Sequence, residues 1–523
     1  GRLNTLAKKL KAQDIEVYLS TSPIQTKSAL KQTGDSIENF TIPSGSMIIP
    51  NLQPEAPLIA AILEFDAEII ESVLEEERRQ TLKNSSSIMY DTTAFNLTMM
   101  YGLDAVTVQE NIQKNVKKWE PLKAEINVDK DALMWAVNGH DDRSVAFAAR
   151  LMELGVEVRI IDKDALLSEQ PLPRGSVVVI GMDNPDYQDL SSVISSVASG
   201  LDLSVVSISS GFGAEELPDW GGRHFRLLER PQIALMAHQD FSSYDVGVSW
   251  WSLDHHLGIR HSMVNGSSLN YGDLRRYNTI IMPSGYQNLS NSEINSLKEW
   301  IRQGGTLIAH NASSRSLSYE NGIGSVRQVS STFDKSEEYN MDLQREFGAL
   351  NIEIDMEETN KNRVDHDVEY PWEGSSNKYN KAQLEKRDEW QSLFMPSGAF
   401  VAGRIDDEHW LTFGTIDTLP VLYSNLPVLM TGGNSEAAVR IGEIVQSDEE
   451  TYRTINWSDM PPNTDLNVRM SGLVWPEASQ RIANSAYLTR ERIGRGQVIL
   501  FAGEPNFRGC LLYTSPSPRD ITP

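Results

Sequence analysis

Apolar residues at helical spacing open the chain. Leu3, Leu6, Ala7 and Leu10 recur at three- and four-residue intervals and predict an amphipathic helix. Residues 15–19 (Ile-Glu-Val-Tyr-Leu) then read as a strand, and a polar excursion leads to residues 42–50, Ile-Pro-Ser-Gly-Ser-Met-Ile-Ile-Pro. A helix from about Pro54 carries Leu58, Ile59, Ile62 and Leu63. The same order recurs further on. A helix over residues 144–154 has Ala146, Ala149 and Leu151 on one side and is closed by Gly155; residues 156–161 are its strand. Residues 172–180, Leu-Pro-Arg-Gly-Ser-Val-Val-Val-Ile, follow, and then a helix through Leu190, Val193, Ile194 and Val197. Both copies share an apolar residue, Pro-x-Gly-Ser and an aliphatic run. Pro fixes one φ, Gly permits the turn, and the run reads as a strand buried on both faces, which belongs in a parallel sheet with helical crossovers. The turn lacks the Lys-Ser/Thr of a phosphate loop and precedes the strand, so the structural reading is preferred. An extra strand, residues 133–137, begins the second copy. Between the copies, Ile69, Ile70, Val73 and Leu74 form the apolar side of a helix whose solvated side carries Glu75, Glu76, Glu77, Arg78 and Arg79.

From Pro231 the pattern becomes strand and helix in alternation. Residues 233–237 are a buried strand, followed by a helix with Val246, Trp250, Leu253 and Leu257 on one face, stopped by Gly258. Strands follow at 259–264 and 279–282. Ser290 and Glu293 fit a capping box at the start of a helix whose core face is Ile294, Leu297, Trp300 and Ile301. Residues 306–309 are the next strand. This succession predicts a doubly wound parallel sheet. Residues 315–394 are polar, without a long periodic segment, and read as an excursion on the sheet's edge. Residues 494–501, Gly-Arg-Gly-Gln-Val-Ile-Leu-Phe, read as a hairpin turn and strand. The expected fold class is therefore α/β, with repeated units over residues 1–130 and 131–225 and a parallel-sheet domain over 226–509.

Composition narrows the function. The chain has 523 residues, too many for one core. A formal net charge of −25 repels phosphate backbones and argues against a nucleic-acid partner. No stretch approaches the roughly 20 apolar residues of a membrane span. With one cysteine, Cys510, neither an internal disulfide nor a zinc site of several thiolates can form. Residues 510–520 resemble the translation of a sequencing adapter, and the chain does not begin with Met. Both features lead to the expectation of a fragment cut at both ends, with residues 510–523 outside the fold.

Candidate chemistry lies in three places. Residues 309–314, Ala-His-Asn-Ala-Ser-Ser, follow a strand where a hydrolase or amidotransferase mounts its nucleophile, but they hold no Cys, and Ser313 lies in no Gly-x-Ser-x-Gly frame; a capped strand end is the plainer reading. His238 and Asp240 follow the first strand of the alternating region, where open sheets bind ligands, and His255 or His256 are candidates to join them across that edge. Asp254 and His261 lie nearby. Adjacent histidines on a helix point about 100° apart, which works against joint chelation by His255 and His256. Finally, His366 and Glu369 match a short His-x-x-Glu ligand pattern, which chance supplies readily in an acidic chain.

Several stretches in order, residues 42–50, 89–95, 172–180, 244–257, 277–286, 300–309 and 496–508, resemble the C-terminal region of bacterial zinc carboxypeptidase (carboxypeptidase A-like) family proteins. The resemblance implies an accessory region ending in a class I glutamine amidotransferase-like, flavodoxin-like domain. It also implies a separate N-terminal peptidase domain that holds the zinc and the catalytic Glu and is the expected partner, with peptide as substrate and an extracytoplasmic location. No catalytic or metal role falls on a residue of this chain, and the fragment itself needs no cofactor. Two other readings stay open: an independent hydrolase or amidotransferase using His310, Ser313 or the His238–Asp240 edge, and a ligand- or carbohydrate-binding module.

Overall fold

The structure, a computed structural model, describes residues 1–506 apart from 90–91, 122, 215–216, 239, 270–271, 286–288, 351–378, 426, 448–453 and 456. The first helix forms where its spacing predicts: α1 (Arg2–Lys11) buries Leu6, Ala7 and Leu10 and ends in basic residues that complement the negative end of its dipole. Strand β1 (Tyr18–Ser20) lies between β2 (Met47–Ile48) and β3 (Val116–Lys118), antiparallel to both. Helices α2 (Ala56–Leu63) and α3 (Glu71–Asn84) come between β2 and β3 in the chain.

The next unit comprises β4 (Met134–Val137), α4 (Arg143–Glu153), β5 (Arg159–Ile161), β6 (Ala165–Leu167), β7 (Gln170–Leu172), β8 (Val177–Ile180), α5 (Leu190–Leu201), β9 (Val206–Ile208) and β10 (Phe225–Leu227). Its sheet runs β9-β4-β8-β5-β10, and every pairing is antiparallel. This corrects the expected parallel units. All four residues of β8 are buried, as expected, but for a different reason. On one face Val177 and Val179 meet Phe147, Leu151 and Ile194 of α4 and α5. On the other, Val178 and Ile180 lie in one cluster with Ala165, Leu167 and Leu172 of the β6–β7 hairpin. A hairpin folded over the sheet, rather than a second layer of crossover helices, covers that face.

The two Pro-x-Gly-Ser turns do match. Gly45 and Gly175 have φ of 84° and 85°, a region open to glycine. The Gly45 N–H donates to the Ser20 carbonyl at 2.9 Å, and the Gly175 N–H donates to the Ile161 carbonyl at 2.7 Å. Each turn sends the following strand back antiparallel to β1 or β5.

The remaining core is a twelve-stranded mixed sheet. Its elements are β11 (Ile233–Ala237), α6 (Ser243–Trp251), β12 (His261–Asn265), β13 (Thr279–Met282), α7 (Asn291–Arg302), β14 (Thr306–His310), α8 (Asn311–Leu317), α9 (Ser336–Leu350), α10 (Lys381–Ser392), β15 (Ala399–Ile405), β16 (Thr418–Tyr423), β17 (Ser435–Ile441), β18 (Ala486–Ile493) and β19 (Gly496–Phe501). The main path runs β12-β11-β13-β14-β19-β18-β17-β15-β16, with three short strands off it. From β12 to β19 the neighbours are parallel. The tight turn at Gly494 and Arg495 then reverses the chain, and from β19 through β18, β17, β15 and β16 the ladder is antiparallel. The doubly wound, amidotransferase-like parallel domain is therefore not what this region builds: hairpin-linked strands extend the parallel run into a mixed sheet. The excursion expected to lack periodic structure contains α9 and α10, the second held by an Asn380–Gln383 capping box and by Arg481 donating to Asp388 at 2.8 Å. Among the described residues no helix is long and apolar enough to cross a membrane.

Candidate functional site

Parallel strands place their C-terminal ends on one edge, and that edge is where open sheets collect ligands. Here it gathers residues from four elements. β14 ends at His310, and the chain turns at once into α8 through Asn311, whose φ is 47°. A non-glycine residue in this left-handed region is uncommon, and asparagine is among the residues that tolerate it. The result is a sharp strand-to-helix turn of the kind on which hydrolases mount a nucleophile. β19 ends at Phe501, and Glu504 follows within three residues. Asp245 lies in the first turn of α6, behind the Ser242 N-cap, whose hydroxyl accepts from the Asp245 N–H.

His310 and Glu504 face each other with Nδ1 and Oε2 3.8 Å apart, and their side chains are 6% and 11% exposed. That separation is too long for a hydrogen bond. The imidazole also meets the ring of Phe501 edge-on at 5.5 Å. Burial pushes the His310 pKa down to about 4. Burial, and then the nearby Asp245 charge, push Glu504 up to about 9, against a hydrogen bond from Asn311 that favours the anion. Asp245 is itself raised by burial, opposed by its bond to Ser242. At neutral pH the edge therefore holds a neutral imidazole beside a protonated carboxylic acid. His310 Nδ1, Glu504 Oε1 and Asn506 Oδ1 are buried without a hydrogen-bond partner among the described residues.

Such a pair stores a proton but is not arranged to pass one. The serines of the elbow are occupied. Ser313 is 1% exposed and its hydroxyl donates to the Pro283 carbonyl at 2.5 Å. The Ser314 hydroxyl lies 2.8 Å from the carbonyls of both Ala309 and Phe501, tying β14 to β19.

The residues singled out from sequence lie at two separate places. His238 sits just past β11 with φ of 83°, and it and Asp240 are exposed. His255 and His256 occupy a π-helical turn, Ser252–Leu257, that continues α6. Twelve residues from Ser243 to His255 carry the chain about 18 Å along the helix, away from the strand-end edge. His255 stacks on Trp251 with ring centroids 3.9 Å apart and 23° between planes, and its Nε2 lies 3.8 Å from Asp254. His256 is half-buried and burial lowers its pKa. Arg150 donates to the carbonyls of both. His238 and Asp240 thus lie at the start of α6, and His255 and His256 at its far end. Among the described residues no group of three His, Cys, Asp or Glu side chains is placed to hold a metal ion. His366, Glu369 and Cys510 lie outside the described residues. Glu504 and Asp245 escaped the sequence reading; the available signal was position, since each falls within a few residues of a strand's end or a helix's start on the shared edge.

The chain matches no family model and no curated protein. Among solved structures it is similar to a β-galactosidase from Bacillus circulans sp. alkalophilus, with 11% identity over 55% of this chain and 30% of that one and a TM-score of 0.28. It is also similar to an exo-β-1,4-mannosidase from an Opitutaceae bacterium, with 10% identity over 56% of this chain and 36% of that one and a TM-score of 0.25. A ThuA-like protein from Bacteroides uniformis shares 11% identity over 54% of this chain and 89% of its own, with a TM-score of 0.25. The match spans about a third of the length of the two glycosidases.

Proposed function

We propose that this chain is a non-catalytic accessory region of a zinc metallocarboxypeptidase-like protein, in which peptide hydrolysis belongs to a separate peptidase domain. The parentage rests on the ordered stretches that resemble that family. The non-catalytic character rests on one observation: the strand-to-helix turn after β14, the position suited to a nucleophile, carries Asn311. A carboxamide nitrogen is not nucleophilic at neutral pH, and neither neighbour supplies a base that works there. His310 is held neutral by burial and resists the positive charge that a general base must accept. Glu504 is protonated and has no free electron pair of carboxylate strength. Ser313, the other candidate, spends its proton on a backbone carbonyl.

The test is a purified chain assayed with and without added zinc for release of C-terminal amino acids from peptides, and for hydrolysis of glutamine and of activated esters. The expected result is turnover at the buffer rate in every assay. Zinc-dependent trimming of peptides, or ester hydrolysis that vanishes in Ser313→Ala, would overturn the reading.

A further inference from the structure

The two Pro-x-Gly-Ser turns match in backbone but not in what surrounds them. In the first, Ser44 at the variable position is exposed, and a Cβ added at Gly45 meets nothing within 4 Å. The second is pinned. Gly139 lies so close that a Cβ added to it would stand 2.3 Å from the Gly175 carbonyl carbon. The Ser176 hydroxyl, fully buried, accepts from the Gly139 N–H at 3.1 Å. The variable position of this fixed turn sends Arg174 across to the segment between β15 and β16. There the guanidinium lies over the Phe413 ring, 4.5 Å from its centroid, and donates to the Asp407 carbonyl.

Arg174, His140, Asp407 and Asp417 line one cavity of about 290 Å³. Its wall is held in place by other bonds. The Thr415 hydroxyl donates to the Thr412 carbonyl at 2.7 Å, and the Arg2 guanidinium donates to the Gly414 carbonyl at 3.0 Å. A guanidinium that served only to join the two segments would close on a carboxylate, which gives the stronger bond. Two carboxylates share the cavity, yet Arg174 takes a backbone carbonyl. Among the described residues no ion pair engages Arg174, Asp407 or Asp417. Opposite charges thus face one open space without meeting, which suits a ligand that carries both signs.

We propose that this cavity binds a free basic amino acid, of the class of lysine and arginine. Its α-carboxylate meets the Arg174 guanidinium, and its α-ammonium and side-chain cation meet Asp407 and Asp417. Charge selects the class. One guanidinium against two carboxylates leaves one negative charge in excess, and a basic amino acid carries one positive charge in excess. A simple anion is repelled by both carboxylates and by the net charge of −25, and a neutral amino acid leaves one carboxylate without a partner. Size selects against a peptide, since the volume falls just short of the ~300 Å³ at which small-molecule pockets begin. The site goes beyond the reading of this chain as an accessory region and does not depend on it.

Titration calorimetry of the whole chain with L-lysine and with L-arginine tests it. Binding of at least one is expected. L-glutamate, and Nα-acetyl-L-lysine, which lacks the α-ammonium charge, should bind at least tenfold more weakly. Arg174→Gln and Asp417→Asn should each weaken binding tenfold or more. Asp417 is exposed, so Asp417→Asn keeps the melting temperature and separates lost binding from unfolding. The proposal is overturned if neither basic amino acid binds the unaltered chain, if L-glutamate or Nα-acetyl-L-lysine binds as tightly as they do, or if Asp417→Asn binds them as the unaltered chain does.

Discussion

Strands β8 and β11 look alike in isolation: every residue of each is buried. They sit in sheets of opposite design. β8 pairs antiparallel on both sides, and β11 pairs parallel on both sides. The difference lies in what connects them. β11 is followed by α6, which returns the chain to the side from which β12 starts, whereas β5 reaches β8 through the β6–β7 hairpin. The consequence reaches the chemistry. Parallel strands put their ends together, so His310, Glu504, Asp245 and Asn311 converge on one edge from the segments that follow three of them. Antiparallel strands distribute their ends to both edges, and polar residues of that unit meet in pairs, such as Arg159 with Asp183 at 2.6 Å and the His224 ring with Asp162 at 2.7 Å.

The largest effect should come from breaking one core and watching the other. Phe147 is fully buried against the antiparallel sheet, and Leu235 is fully buried in the parallel run. Phe147→Ala should cost about 3–5 kcal/mol and Leu235→Ala about 2–5 kcal/mol, from lost transfer energy and the cavity left behind. Hydrogen exchange followed by mass spectrometry distinguishes the regions. In Phe147→Ala, amides of β4 and β8 should exchange faster while those of β11 and β14 keep their protection; Leu235→Ala should do the reverse. If both substitutions accelerate both sets equally, the two sheets unfold as one unit and the contrast between them is only topological.

The next effect concerns the edge that the antiparallel unit lacks. The folded state holds the Glu504 proton up to about pH 9, whereas an unfolded glutamate loses it near pH ~4.3. Stability from this group is fully present below the unfolded value and is lost as pH rises toward 9. His310 acts oppositely: its folded pKa of about 4 lies below the unfolded ~6.5, so its contribution is present above 6.5 and is lost as pH falls. The two slopes cancel between the unfolded values, and above them Glu504 alone remains. Glu504→Gln should therefore gain stability relative to the unaltered chain as pH rises from 5 to 9, by roughly 1.4 kcal/mol per pH unit and on the order of 5 kcal/mol at the alkaline end. Urea midpoints at pH 5, 7 and 9 measure this. A difference that does not change with pH would show Glu504 ionised against a protonated His310, an ion pair in place of two neutral groups.

Local features were readable in advance, and long-range ones were not. The Ser290–Glu293 capping box forms as expected, with the Ser290 N–H donating to the Glu293 carboxylate at 2.7 Å, because a cap needs only residues three apart. The apolar runs at 177–180 and 233–237 reported burial correctly, yet an apolar run carries no sign of strand direction, so the antiparallel unit was misread. The elbow was visible as residues 309–314, but its decisive residue, Asn311, shows itself only through its φ. His238 and Asp240 stand out in the sequence because they follow a strand at a ligand-collecting edge, with His255 and His256 as candidates to join them; the helix and π turn that carry those two histidines show only in the structure. Trp250, expected in the core, is 38% exposed because it falls to one side of the line through Val246 and Leu253. Glu504 and Asp245 belong to distant segments, and a single sequence offers nothing that joins them.

The smallest effects test whether the elbow is a device or a scar of folding. In the left-handed region a residue with a β-carbon is strained by about 1–2 kcal/mol, less for asparagine. Asn311→Ala adds strain and removes the amide that bonds Glu504, so it should cost about 1–2 kcal/mol, while Asn311→Gly relieves the backbone and should cost less. Placing a thiol at the turn is more revealing. In an Asn311→Cys variant made with Cys510→Ser, the new thiol lies beside an imidazole that burial keeps uncharged and a carboxyl that burial keeps protonated. Neither stabilises a thiolate, so iodoacetamide should label it at pH 7 no faster than it labels an ordinary exposed thiol, and no esterase activity should appear. Fast labelling would mean that the edge can hold a charge after all. The elbow would then be one substitution away from a working nucleophile, and the contrast with the antiparallel unit would be between a site and a scaffold.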